Sequence, residues 1–363
     1  MRTPSSIDEK LADLGTAYSS RGQFPYTLEE VATLTNFIYA HHCATVGKKH
    51  RARVFRYADD LGENLLKLQQ AVLAGTYKPK PCSDFEIFCT AGQKIRKISA
   101  PAFEDTVVQH VLYQSTYTHF DKKFIFDSYG CRRGKGTHKA SDRLQYFMRR
   151  APAGSYILQI DVRKYYYSID HSILRESLAR SVADPALVDL MMKFCGDGEV
   201  GLNVGCLLSQ LYGMIYLDRF DHWVKRTLKI GMYIRYVDDM IMILPNRQAA
   251  EDVLAQCVAY LRDNLRLELS KHRIVPLSEG ANFVGFRTKA GRRVLRRRSV
   301  VNFKRAVRKA KIESIASILG HALGTASYRP FLHTALNTLQ VEDIRRLPDR
   351  FRDDMAELIA CCP

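Results

Sequence analysis

The sequence predicts an α+β fold in which a small sheet is covered by helices on one face. The middle third of the chain alternates short β-like runs with helical segments, which is the pattern of such folds. The 363 residues are 46% apolar and 26% charged, which describes a globular chain long enough for two or three subdomains. No internal repeat or low-complexity tract is visible, so solenoids and arrays are excluded.

Residues 1–80 have a helical pattern. Thr27–Glu30 forms a capping-box pattern, and Leu61–Gly75 carries leucines at helical spacing before a glycine stop. The segment FEIFCTAGQKIRKISAP predicts a β-hairpin that turns at Ala91-Gly92, because two extended runs flank a turn dipeptide. A helix over residues 102–120 follows.

The middle and last thirds predict most of the sheet and its covering helices. Strands are expected at residues 155–162 and on both sides of Val237–Asp239, because these runs are short, apolar and rich in β-formers. Beyond Lys271, NFVGFRTKAGRRVLRRR predicts a hairpin that turns at Ala290-Gly291. The predicted helices cover residues 171–180, 185–195, 209–225 and 247–264 and most of the chain after 300.

The charge balance predicts a polyanionic partner. The chain has 55 basic and 38 acidic residues, a net charge of +17 and a pI near 9.5, so nucleic acid is the leading candidate. The longest apolar runs, such as Met240–Leu244, are far shorter than the roughly 20 residues that span a bilayer. The N-terminus lacks a secretory signal pattern, so we expect a cytoplasmic protein with reduced cysteines and no membrane association.

A basic run from Arg287 to Lys311 contains no acidic residue. Its apolar residues alternate with the charges, which favours a packed element with one basic face over a tail. A solvated helical face is the alternative. The residues expected to contact nucleic acid are Arg292, Arg293, Arg296, Arg297, Arg298, Lys304 and Arg308.

Three aspartates lie where strands are predicted to end. Asp238-Asp239 separates two apolar strands, and Asp161 ends another. If these strands are neighbours, the three carboxylates converge and need a compensating cation, for which Mg²⁺ is suited. A two-metal site of this kind supports in-line phosphoryl displacement by a polymerase or a nuclease, and an ordinary Asp-rich turn is the alternative.

The motifs separate these classes. Tyr236–Asp239 resembles the YxDD box of reverse transcriptases, and DVRKYYYSIDH, from Asp161 to His171, resembles their first palm motif. Further boxes resemble those of bacterial, group II intron-like reverse transcriptases in the same order, covering roughly residues 60 to 310: Arg96–Leu112, Phe126–Ala140, Leu267–Arg273 and Asn282–Phe286.

The resemblance implies a right-hand polymerase fold. Its expected parts are a helical N-terminal extension (1–60), fingers (61–150), a ferredoxin-like palm that also carries part of the fingers (151–287), and a thumb with C-terminal helices (288–363). It also implies that Asp161 and Asp238 are catalytic metal ligands, with Asp239 as the third and least directly coordinated carboxylate. The cofactor would be two Mg²⁺ ions, with Mn²⁺ as a substitute.

The same resemblance suggests residues that contact the incoming nucleotide. Tyr166 matches the bulky residue that rejects a ribose 2′-hydroxyl, although packing beside Tyr165 would also explain it. Arg96, and less directly Lys94 or Lys97, would neutralise the triphosphate. Lys271 matches a lysine near the triphosphate, and a solvated lysine is the alternative.

One box departs from the common pattern. VGCLLSQ stands where most bacterial reverse transcriptases carry QGxxxSP, so Val204 replaces a glutamine near the incoming sugar and Gln210 replaces a proline. This form resembles the error-prone enzymes of diversity-generating retroelements, to which some defence-associated reverse transcriptases are close.

The predicted function is therefore RNA-dependent DNA synthesis on a dedicated structured non-coding RNA, in a retroelement or in anti-phage defence. The partners would be that RNA, a DNA primer or product, dNTPs, and an accessory protein or second subunit. Template-independent DNA synthesis and an RNA-binding scaffold derived from a polymerase are the alternatives.

Overall fold

The computed structural model describes residues 22–89 and 94–360. The predicted turn at Ala91-Gly92 and the first 21 residues of the predicted N-terminal extension lie outside them. The chain divides into two compact units, each built from three separate segments. Unit 1 comprises the chain up to Phe126, Val162–Leu228 and Cys257–Ser270, and unit 2 comprises Asp127–Asp161, Lys229–Gln256 and the chain from Lys271 onward.

Unit 1 is mainly helical. Its elements, including the end of one helix that begins in unit 2, are α1 (Leu28–Val31), α2 (Leu34–Thr45), α3 (Ala52–Asp59), α4 (Leu61–Leu73), β1 (Ser83–Cys89), β2 (Lys94–Ala100), α5 (Phe103–Lys123), α7 (His171–Ala179), α8 (Pro185–Met192), α9 (Leu207–Arg226) and α10 (Arg247–Leu265). The predicted hairpin is confirmed as the antiparallel pair β1–β2.

Local caps explain where several of these helices begin. Thr27 and Glu30 form the predicted capping box at the start of α1. Asp184 caps α8 by accepting from the Ala186 N–H, and it also accepts a hydrogen bond from the Leu28 N–H. One carboxylate therefore joins two helices that are more than 150 residues apart in the chain.

Unit 2 contains the main sheet, whose strand order is β4-β5-β3-β6. Its elements are α6 (Thr137–Arg150), β3 (Tyr156–Val162), β4 (Tyr233–Tyr236), β5 (Asp239–Leu244), β6 (Leu269–Pro276), β7 (Ala281–Phe283), β8 (Phe286–Thr288), β9 (Arg293–Leu295), α11 (Arg297–Arg308), α12 (Ile312–Ala322), α13 (Tyr328–Leu336), α14 (Val341–Arg345) and α15 (Asp349–Ala360). β3 and β6 each extend one or two residues into unit 1.

The sheet packs against α6 through an apolar cluster. Ile157, Ile241 and Ile243 contribute from β3 and β5, and Leu144 and Phe147 contribute from α6. Alternate residues of β3 and β5 face this cluster because side chains of a strand alternate between its two faces. The predicted α+β arrangement, with helix on sheet, is present here.

The segment after Lys271 differs from the single predicted hairpin. It forms a three-stranded antiparallel sheet, because an additional turn at Val284-Gly285 precedes the one at Ala290-Gly291. Gly285 has a φ of +94°, and a Cβ there would lie 2.5 Å from His321 Nε2. This turn was not predicted from the sequence, because it depends on the close approach of its backbone to α12, which follows later in the chain.

The C-terminal helices share one hydrophobic core. Phe303 of α11 stacks on Phe331 of α13 with ring centroids 4.1 Å apart. Phe303, Ala306 and Val307 are buried, which leaves the charged residues of α11 on its other face. Among the residues that the structure describes, no helix has the length and apolar content needed to span a membrane.

Candidate active site

Two carboxylates face each other in the main sheet. β3 pairs antiparallel with β5, and their register places Asp161 directly opposite Asp239. Residues paired in this way project to the same face of a sheet, so these two side chains are neighbours. Both are partly exposed at the end of otherwise buried strands.

A glutamine holds one of these carboxylates. Gln159 Nε2 donates to Asp239 Oδ1 at 2.8 Å and to the Asn282 carbonyl at 3.0 Å. Gln159 lies two residues before Asp161 and therefore on the same face of β3. Gln159 was not identified from the sequence as a site residue. The signal was a single amide in an otherwise apolar strand, at the position that shares a face with the predicted metal ligand.

The electrostatic environment of Asp239 disfavours its charge. Burial raises its pKa to about 7, and the negative charges of Asp161 and Asp238 add to the rise. The hydrogen bond from Gln159 and the positive charge of Arg296 oppose it. A cation bound between these carboxylates would relieve the same repulsion, so the donor set fits a divalent metal.

The turn that carries Asp238 is strained. Val237 has a φ of +58°, which is a rare conformation for a β-branched residue and costs roughly 1–3 kcal/mol. Such strain persists only where the surroundings determine the backbone, and it clusters at functional sites. Asp238 follows directly and is partly exposed.

The predicted convergence of three aspartates does not form a complete metal cage. Within the described ranges, no group of three or more His, Cys, Asp or Glu side chains is placed to hold one ion. Mg²⁺ at polymerase sites is held by one or two carboxylates together with water and substrate phosphates. The facing pair and the adjacent turn therefore suit a metal that arrives with a nucleotide.

The predicted gate residue belongs to unit 1. Tyr166 lies in a short 3₁₀ helix, Tyr165–Ser168, and its ring is 5.4 Å from that of Tyr165. Tyr165 is buried and donates its hydroxyl hydrogen bond to the Gly213 carbonyl. A Cβ at Gly213 would lie 3.0 Å from Tyr166 Cε1, so this glycine makes room for the ring. Gly213 was not identified from the sequence.

The divergent box lies in a loop that links the tyrosines to the β-hairpin. Leu202 N donates to the Tyr166 carbonyl at 2.7 Å, and Ser99 N of β2 donates to the Val204 carbonyl at 2.7 Å. Gly205, with a φ of +125°, passes so close to β2 that a Cβ would lie 2.8 Å from the Ser99 oxygen. Val204 is partly buried, and it is held through its backbone.

The other predicted nucleotide contacts are dispersed. Arg96 is exposed on β2, and Lys94 begins that strand. Gln210 is exposed in the first turn of α9. In unit 2, Lys271 is exposed on β6. Arg96, Lys94 and Gln210 belong to unit 1, and Lys271 belongs to unit 2.

The residues of the basic run differ in how far they are exposed to solvent. Arg292, Arg297, Lys304 and Arg308 are exposed, and Arg298 and Arg296 are partly buried. Arg293 corrects the prediction of a nucleic-acid contact. Its side chain is only 7% exposed, pairs with Asp142 and donates to the Gly324 carbonyl at 3.0 Å. A guanidinium enclosed in this way supports the fold and has little surface left for a phosphate.

Comparisons with known proteins give relatives for this chain. It is 24% identical to protein YkfC of Escherichia coli K12 over 273 residues, covering 62% of this chain and 71% of YkfC. It is 21% identical to the group II intron-encoded protein LtrA of Lactococcus lactis over 298 residues, covering 62% of this chain and 49% of LtrA. The chain thus spans about half the length of LtrA.

Among solved structures, a telomerase from Candida albicans in complex with a fragment of telomeric RNA matches with 11% identity and a TM-score of 0.42. The match covers 77% of this chain and 61% of the telomerase chain. A TM-score of 0.42 is too low to assign a fold.

The model of the family "Reverse transcriptase (RNA-dependent DNA polymerase)" matches residues 81–288, which is more than half of the 363 residues. The match includes both strands that carry the facing carboxylates, and it confirms the predicted right-hand polymerase fold. The predicted boundaries of fingers, palm and thumb stay a prediction. The chain belongs to the reverse transcriptase family of RNA-dependent DNA polymerases.

Proposed function

We propose that this protein copies a dedicated structured non-coding RNA into DNA by Mg²⁺-dependent, two-metal nucleotidyl transfer. The observation that carries the proposal is the facing pair Asp161–Asp239, with Asp238 in the adjoining strained turn. The net charge of +17 suits an RNA template and a DNA product. An accessory protein or second subunit belongs to the same proposal.

Asp161 and Asp238 would hold the metal ions, and Asp239 would contribute charge with less direct contact. The family resemblance implies this division, and the hydrogen bond from Gln159 to one carboxylate oxygen of Asp239 supports it. When bound, Mg²⁺ supplies positive charge to the attacking and leaving oxygens of the phosphoryl transfer. The chain's own part is to fix the carboxylates before the nucleotide arrives.

Residues of unit 1 would select the nucleotide. Tyr166 would exclude the ribose 2′-hydroxyl by its bulk, and the bond between Tyr165 and Gly213 supports a fixed ring position. Arg96 and Lys94 would neutralise the triphosphate, and Lys271 is a further candidate for this role from the resemblance. Val204 presents no hydrogen-bonding side chain to a sugar, which favours an error-prone enzyme of the diversity-generating type.

Asp238→Asn should lower DNA synthesis by at least about 100-fold, because loss of a metal ligand removes several kcal/mol of transition-state stabilisation. RNA affinity should be unchanged, since neither side-chain volume nor the basic face of α11 is altered. Primer extension in Mg²⁺ and filter binding measure the two effects. Asp252→Asn, on the exposed surface of α10, is the matched control. Normal nucleotide incorporation by Asp238→Asn would refute the assignment.

Tyr166→Ala should raise the use of ribonucleotides relative to deoxyribonucleotides by on the order of 10- to 100-fold, because discrimination by the ring is steric. Tyr165→Ala should instead lose about 3–5 kcal/mol of stability, because it empties a buried site. The ratio of kcat/KM for the two nucleotide types and the melting temperatures test both statements. If both variants fold and still exclude ribonucleotides, the gate lies elsewhere.

Neutralising the exposed face of α11 should reduce the salt dependence of nucleic-acid binding. Each lost phosphate contact lowers the slope of log K against log salt by about 0.9 for duplex DNA. We expect this effect for Lys304→Gln and Arg308→Gln, and none for Lys67→Gln, an exposed lysine of α4. Equal slopes in all three variants would show that the run is only a solvated face.

Val204→Gln should lower the error frequency about five-fold, because a hydrogen bond of about 1 kcal/mol to the incoming sugar favours correct pairs. The decrease should be greatest opposite template adenine. Val204→Met controls for side-chain length, and the backbone bond to Ser99 is open to all three residues. Sequencing of products copied from a defined RNA gives the error spectrum. An unchanged spectrum in a stable, active glutamine variant would favour the defence-type enzymes.

A further inference from the structure

The strained turn at Val237 lies against a buried segment of unit 2. This segment, Asp127–Gly130, is hereafter the bracing segment, and all four of its residues are buried. The Arg235 N–H donates to the Asp127 carbonyl at 3.0 Å, and the Tyr129 N–H donates to the Arg235 carbonyl at 2.9 Å. The bracing segment therefore continues the sheet beside β4.

The bracing segment is itself anchored. Arg143 Nε of α6 donates to Asp127 Oδ1 at 2.7 Å, and its guanidinium also stacks over the Phe147 ring. An arginine bonded to a carboxylate and packed on an aromatic ring has little freedom. The end of β4, which precedes the turn that carries Asp238, is therefore bonded to an anchored bracing segment.

Gly130 brings this support into contact with the turn. A Cβ at residue 130 would lie 2.5 Å from Val237 Cγ2 and 2.6 Å from Val237 N. A Cβ atom cannot lie so close to these atoms. The Val237 nitrogen belongs to the backbone, so it cannot rotate away as a side chain could. Glycine is therefore required here for close approach.

Arg235 holds the turn from within. Its side chain is only 1% exposed, and its Nη1 donates to the Val237 carbonyl at 2.9 Å. An apolar residue would suit a buried strand position better, because enclosing a guanidinium carries a large desolvation cost. Its hydrogen bond fixes the carbonyl of the one residue in the turn whose φ is unfavourable.

We infer that Arg235 and Gly130 are positioning residues, which hold Val237 in its strained conformation so that Asp238 and Asp239 are aligned before the nucleotide binds. The inference rests on the proposed function, because it concerns the same carboxylates. It assigns a catalytic purpose to two residues that would touch neither metal nor nucleotide.

The first test compares Gly130→Ala with Gly231→Ala in full-length protein. A Cβ at Gly231, just before β4, would meet no atom within 4 Å, so this variant is the matched control. Gly130→Ala should lower kcat for single-nucleotide addition about 10- to 100-fold, since a shift near 1 Å can cost roughly 100-fold. The KM for dNTP should stay within about twofold, because transition-state alignment alone is affected.

The second test does not depend on Gly130→Ala being folded. Arg235→Lys should lower kcat about tenfold, and Val237→Gly should reduce that loss to about threefold or less, because glycine adopts positive φ without strain. A purely structural arginine would lower the melting temperature and leave kcat of the folded fraction unchanged. That result, or an equal kcat loss in both backgrounds, would overturn the inference.

Asp238→Asn in the same assay separates the two proposals. If Asp238→Asn keeps full activity, the proposed function is wrong, regardless of whether Arg235 and Gly130 hold the turn. The melting temperatures of wild type, Arg235→Lys, Val237→Gly and the double variant then still decide whether Arg235 holds the turn. Coupled shifts would support that contact and additive shifts would exclude it.

Discussion

The register between β3 and β5 determines where the carboxylates of this protein lie. A shift of one residue would turn Ile157, Gln159 and Asp161 together to the opposite face and remove Ile157 from the apolar cluster, so the hydrophobic pattern excludes it. The same pairing that buries these isoleucines therefore places Asp161 opposite Asp239 at the end of the same face. Their mutual repulsion is a consequence of folding, and the hydrogen bond from Gln159 and the positive charge of Arg296 oppose it.

Much of this could be read from the sequence, because the informative patterns are local. Short apolar runs rich in β-formers predicted the strands, a capping box predicted the start of one helix, and the order of the motifs predicted the family, which the family match confirms. Contacts between distant segments were missed. The burial of Arg293 depends on Asp142 and Gly324, and the role of Gly213 depends on rings 47 and 48 residues earlier. Neither sequence periodicity nor secondary-structure propensity encodes such contacts, because they form only when distant segments of the chain pack together.

The loop of unit 1 that carries Val204 is positioned by its backbone. The loop that carries Val204 is fixed by backbone hydrogen bonds to the tyrosine segment on one side and to β2 on the other. The partly buried side chain of Val204 can therefore vary while the loop keeps its position. This arrangement explains how valine can replace glutamine at this position without loss of the fold.

Both units are assembled from pieces that alternate along the chain, which has a consequence for synthesis of the protein. Unit 1 lacks its last segment until Ser270 has been made, and unit 2 requires the helices that come later still. A ribosome therefore delivers α5 well before α9, against which it packs, and β3 well before β5, with which it pairs, and their apolar faces stay partly uncovered during that interval. Chaperone dependence during translation, and aggregation of truncated chains, are the expected cost of this interleaved order.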